Sequence, residues 1–148
     1  MHGGVSICGQ PGIGKSLFNI TFATFLTKAP IGKSFCLYYL LIRRLLRGLP
    51  IVLQVAQKEI LLFLESGTYV IPADYSLQFL PNGTWALVDS EHSVDAPAAS
   101  LTRPHSPSFI VQATSSQPDH TKWHKYKTGR MFYMRPWDWD EILFAHAL

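Results

Sequence analysis

The chain has 148 residues, of which 47% are hydrophobic and 16% charged. That size and balance exclude a disordered polypeptide and predict a single domain over residues 1–148 with one hydrophobic core. A formal net charge of +3 and a pI near 9.0 are mild; they permit a polyanionic partner without demanding one.

Met1-His2-Gly3-Gly4 lacks the basic start of a secretory signal, and the first apolar run stops after four residues. Cys8 and Cys36 show no metal or redox spacing and sit in apolar segments, which predicts reduced, buried thiols in an intracellular protein, cytoplasmic or nuclear. Val5-Ser6-Ile7-Cys8 reads as a short buried parallel strand. It runs directly into Gly9-Gln10-Pro11-Gly12-Ile13-Gly14-Lys15-Ser16, which fits the pattern G-x-x-x-x-G-K-[ST] without substitution. Glycines at this spacing let successive backbone N–H groups turn inward as an anion nest, and the following helix aims its positive end at the same point. Lys15 is expected to reach the β- and γ-phosphates of a nucleotide, and Ser16 to offer its hydroxyl to Mg²⁺, a cation that selects hard oxygen ligands.

Leu17 to Leu26 is apolar but rich in β-branched and aromatic residues, which are indifferent helix formers. Ile31-Gly32-Lys33-Ser34 then repeats Ile13-Gly14-Lys15-Ser16 at a spacing of 18 residues, with Thr27 where the leading glycine of the pattern would fall. Phe35 to Arg47 is the stronger helix, with a late arginine cluster suited to the negative end of the dipole and a stop at Gly48 and Pro50. Its uncharged stretch, Ser34 to Ile42, is far short of the roughly 20 residues that a membrane span needs. Joining Lys15 to Ser34 would give one phosphate loop and one strong helix. Residues 16–33 therefore read as an insertion or duplication, or as a translated intron.

Leu49 to Gln54 reads as a second strand, and Glu59 to Leu64 with Thr68 to Pro72 as a β-hairpin around Glu65-Ser66-Gly67. Pro81-Asn82-Gly83 launches Thr84-Trp85-Ala86-Leu87-Val88-Asp89, an apolar strand ending in an acid. In phosphate-loop enzymes a strand beside the loop strand ends in such an acid, at the carboxyl edge of the sheet, where it holds Mg²⁺, so Asp89 is the second anchor. The water-activating carboxylate is assigned to Glu91, since Ser90 directly follows the Asp. Residues 92–108, rich in proline and serine, read as a surface loop. Phe109 to Ser115 is the next strand, with Gln112, Thr114 or Ser115 placed either to sense a γ-phosphate or to complete a core strand. Asp119 to Lys127 reads as a short helix in which His120 and His124 are solvated surface histidines. There Lys122-Trp123-His124-Lys125-Tyr126-Lys127 interleaves cations and aromatics, a weak signal for single-stranded nucleic acid. A last strand covers Arg130 to Met134, and Trp137 and Trp139 are expected to pack an apolar ridge.

Taken together, the loop, Tyr38-Tyr39-Leu40-Leu41-Ile42-Arg43-Arg44-Leu45-Leu46, Ala86-Leu87-Val88-Asp89-Ser90, Phe109 to Ser115 and Met134-Arg135-Pro136-Trp137-Asp138-Trp139-Asp140-Glu141 resemble the P-loop ATPase-like domain of fungal Crinkler-type and retrotransposon-hot-spot-type proteins. The resemblance implies an α/β fold related to AAA-type ATPases, a three-layer parallel sheet flanked by helices, here truncated and carrying the hairpin as an insertion. It also implies Lys15 on phosphate, with Ser16 or its repeat Ser34 and Asp89 on Mg²⁺. Members continue into further helices after the Trp-Asp-Trp-Asp-Glu region. The leading expectation is Mg²⁺-dependent binding of a nucleoside triphosphate, ATP first, with hydrolysis by in-line attack of water as the reaction class. The alternatives are a non-catalytic nucleotide-dependent interaction module and an inactive fragment. No membrane partner is expected.

A chain in which Lys15 is joined directly to Ser34 is expected to have a higher thermal midpoint and tighter ATP binding than the present one. A lower midpoint or loss of binding would show that residues 16–33 belong to the fold.

Overall fold

Apolar runs too short for helices pair edge to edge into one sheet. The structure, a computed structural model, describes residues 3–8, 33–90, 94–115 and 118–133. Within them the strands are β1 (Gly4–Cys8), β2 (Ile51–Gln54), β3 (Glu59–Leu64), β4 (Gly67–Pro72), β5 (Trp85–Ser90), β6 (Phe109–Thr114) and β7 (Gly129–Tyr133). They form a seven-stranded sheet in the order β4-β3-β2-β5-β6-β1-β7. The pairings β2 with β5, β5 with β6, and β1 with both β6 and β7 are parallel. The hairpin β3–β4 forms as its turn predicts, and β3 pairs antiparallel with β2. The sheet is therefore mixed rather than wholly parallel, because the hairpin extends the same hydrogen-bonded ladder. Its outer strand β4 is exposed from Gly67 to Val70, as an edge strand with one free side is.

The helix α1 (Lys33–Leu45) follows the predicted strong helix, beginning two residues earlier and ending two residues earlier. It lies across the face of β6, β5 and β2. Leu37 is buried, with Leu40 and Leu41 packed beside it, the spacing of one helical stripe. They meet Ile51, Leu53, Leu87, Val111 and Ala113. Burying a leucine such as Leu37 stabilises the fold by about 1.5–3 kcal/mol relative to leaving it exposed. Arg44, in the last turn, lies with its guanidinium 4.8 Å from the Trp85 ring centre and donates to the carbonyls of Gly83 (2.8 Å) and Pro50 (3.2 Å), fixing the helix end to the sheet.

Alternation along the strands sends the other half of the side chains to the opposite face. There Val52, Ala86, Val88 and Ile110 pack against Leu77, Leu80, Val94, Leu101 and Trp123. The expected surface loop over 92–108 is corrected by this core. Val94, Ala98 and Leu101 are buried in it, residues Ala99–Thr102 form the short helix α2, and Ser106 and Ser108 are buried as well. Its polar groups are satisfied internally: Ser100 Oγ donates to Ala73 O at 2.6 Å, and Lys127 Nζ donates to Ser108 O at 2.7 Å and Ser106 O at 3.2 Å. The short helix expected over Asp119 to Lys127 is a 3₁₀ helix, Pro118–Lys125. Among the described residues no helix is long and apolar enough to cross a membrane.

Candidate functional site

Parallel pairing brings the carboxyl ends of β5, β6, β1 and β7 to one edge. The last rung runs Ser90 to Thr114 to Cys8 to Tyr133, and the rung before it pairs Asp89 with Ala113 and Ala113 with Ile7. β1 thus ends at the same edge as β5 with Asp89, but β5 is not beside the loop strand as expected: β6 stands between them. Asp89 alternates with buried Val88 and Ser90, so it faces the α1 side of the sheet, and it is half-buried.

The loop residues Gly9, Gln10, Pro11, Gly12, Ile13, Gly14, Lys15 and Ser16 lie outside the described residues, as do Glu91 and residues 16–32. So do Trp137 and Trp139. The described part of the repeat is its end: Lys33 and Ser34 open α1. Lys33 is 1% exposed. Burial pushes the Cys8 thiol above its ordinary pKa, and the positive charge of Lys33 works in the opposite direction. Cys8 is buried as expected, whereas Cys36 is only partly so; both are free thiols.

On the opposite face a buried polar network joins three strands. Gln112, fully buried in β6, accepts from Ser6 Oγ (2.9 Å) and Trp123 Nε1 (2.7 Å) on its Oε1 and donates from Nε2 to Ser90 Oγ (2.9 Å). Ser6 Oγ also lies 2.8 Å from His124 Nε2. Because the single Ser6 proton goes to Gln112, His124 carries its proton on Nε2 and donates to Ser6. His124 is therefore not a solvated surface histidine, and Trp123, 3% exposed with its ring edge-on to His124, has no face to offer a base. Gly4 and Gly129 make room for these rings: a Cβ on Gly129 would fall 2.5 Å from the His124 ring, and one on Gly4 equally close to Trp123. Burial also lowers the pKa of Lys127 to about 8. Of the basic-aromatic segment, Lys122, Lys125 and Tyr126 are exposed.

Gln112 is thus a core hub whose amide is engaged on the face away from Asp89, while Thr114, fully buried, stands on the last rung itself. Ser6, Ser90 and His124 were not legible as partners from sequence. The signal available was parity: Ser6, Gln112 and Ser90 are polar residues of apolar strands whose positions in register turn them to a common face. Among the described residues no group of three or more His, Cys, Asp or Glu side chains is gathered for a metal ion. No family model, curated protein or solved structure matches the chain.

Burial lowers the His124 pKa below its ordinary value. The unfolded chain then takes up this proton first, so the contribution is fully present above about pH 6.5 and is lost as pH falls through the folded value. The thermal midpoint of the wild type is expected to drop more steeply from about pH 7 to about pH 5 than that of His124→Gln. Parallel slopes would show that His124 does not titrate in this setting.

Proposed function

We propose that this chain binds a nucleoside triphosphate, ATP first, together with Mg²⁺ at the carboxyl edge of the sheet. The observation that carries the reading is the meeting of sequence and topology. A complete G-x-x-x-x-G-K-S pattern follows the end of a strand set between two parallel neighbours, and the strand bearing Asp89 lies two positions away, beyond β6. The strand order supports it further. From β1 the chain proceeds to β2 on one side, whereas from β6 it proceeds to β7 on the other side of β1. Ligand crevices of open α/β sheets form where successive connections diverge in this way. The same order supports a three-layer P-loop NTPase-like arrangement, with α1 on one face and α2 and the 3₁₀ helix on the other.

Lys15 then meets the phosphates, and the backbone amides of Gly9 to Ser16 cradle them. The carboxylate of Asp89 and the hydroxyl of Ser16 make a hard-oxygen donor set that fits Mg²⁺, which when bound would neutralise phosphate charge. Glu91 is the candidate to orient and deprotonate an attacking water, and hydrolysis is the reaction class that follows. A non-catalytic nucleotide-dependent module is separated from this by saturable binding without phosphate release.

One observation favours a second reading of the lysine. Lys33 opens the helix that packs on the sheet and is itself buried, so Lys33 and Ser34 compete with Lys15 and Ser16 for the phosphate and metal roles.

Titration of a fluorescent ATP analogue separates these readings. Lys15→Ala is expected to abolish saturable binding and Lys33→Ala to retain it, since only the first copy has the upstream strand and the full glycine pattern. Loss confined to Lys33→Ala selects the second reading, and equal loss in both means a shared site. Asp89→Asn is expected to weaken binding by about tenfold, about 1.4 kcal/mol, in Mg²⁺ and to leave binding in EDTA nearly unchanged. Equal loss under both conditions would make Asp89 structural.

A further inference from the structure

The polar network on the far face touches the strands that carry the two halves of the candidate site. Ser6 is two residues before the end of β1, where the glycine loop begins, and Ser90 directly follows Asp89 at the end of β5. Gln112 lies between them on β6 and bonds both hydroxyls with one carboxamide, Ser6 at 2.9 Å and Ser90 at 2.9 Å. The bond to Ser90 is diagonal, because Gln112 stands opposite Ser6 and Val88 whereas Ser90 stands opposite Thr114. It therefore restrains the very end of β5, beyond the rung at which the Gln112 backbone pairs. Trp123 adds a third bond that fixes the amide orientation: its indole is a donor only, so it must meet Oε1 and leaves Nε2 for Ser90. All of Ser6, Ser90 and Gln112 are 0–1% exposed, where a well-satisfied network has one arrangement and a broken one leaves a costly unpaired group.

We propose that Gln112 is a positioning residue for the metal side of the site. By tying Ser6 of β1 to Ser90 of β5 it holds Asp89 at a fixed separation from the carboxyl end of β1. The assignment rests on the nucleotide-binding reading above. It does not place Gln112 in contact with nucleotide. Its effect passes through Ser90 to the neighbouring carboxylate.

The test compares ATP-analogue affinity in Mg²⁺ and in EDTA for the full chain and its variants. Ser90→Ala removes the acceptor for Gln112 Nε2 and is expected to reduce the Mg²⁺ enhancement by about threefold or more, about 0.7 kcal/mol, with affinity in EDTA unchanged. Ser90→Thr keeps the hydroxyl and is expected to restore the enhancement. Ser108→Ala serves as the structural control, since Ser108 is equally buried and bonded to Ser106 Oγ at 2.8 Å but lies on the chain just before β6, away from the edge. It is expected to lower the thermal midpoint and leave the Mg²⁺ enhancement intact. If Ser90→Ala does not fold, as judged by tryptophan fluorescence, Ser6→Ala frees the same carboxamide from the β1 side and is expected to give the same reduced enhancement. A wild-type enhancement in Ser90→Ala, or an equal reduction in Ser108→Ala, overturns the positioning role. A wild-type chain whose binding does not respond to Mg²⁺ overturns the nucleotide reading instead.

Discussion

Parallel pairing of β1 between β6 and β7 is the constraint on which the rest of the structure depends. It sets the end of β1 inside the sheet rather than at an edge, so the glycine pattern that follows Cys8 emerges between neighbours that end at the same rung. Parallel pairing continues from β6 to β5 and brings Asp89 to that edge with β6 standing between β5 and β1. The inner parallel strands β2, β5 and β6 are covered on both faces. α1 supplies one cover, and Val94 to Leu101 with Trp123 supply the other. Because each face has its own core, the edge where the strands end is the place left for polar chemistry.

Much of this framework was legible in the residues. The seven strands of the described residues lie within a residue or two of apolar runs bounded by glycine, proline or charge; for the inner strands β2, β5 and β6 this is because a strand buried on both faces must be apolar nearly throughout. The hairpin at Glu65-Ser66-Gly67 was legible from its turn and the helix at Phe35 to Arg47 from its leucine-rich stripe. The region 92–108 was misread because proline and serine usually signal solvent. What sequence composition hides is that Val94, Ala98 and Leu101 recur often enough to face inward and that buried serines can be satisfied by Lys127 and by one another.

Of the candidate site residues the structure describes one, Asp89. Lys15, Ser16 and Glu91 lie outside the described residues, and Asp89 stands at the predicted edge. The bonds among Ser6, Gln112, Ser90, Trp123 and His124 span up to 118 positions in the chain, and no local pattern announces a contact of that range. His124 illustrates the point. Its neighbours Lys122 and Lys125 suggest a solvated surface, yet the space left by Gly129 admits its ring against the sheet.

The account's central claim, that the carboxyl edge around β1 takes Mg²⁺ and a nucleoside triphosphate, is tested most directly by backbone amide NMR of the intact chain titrated with Mg²⁺ and ATP. The account predicts saturable shifts concentrated at Cys8, Asp89, Thr114 and the first turn of α1, with the edge strand β4 unmoved. No shifts, or shifts confined to the hairpin or to the basic residues Lys122 and Lys125, would contradict it.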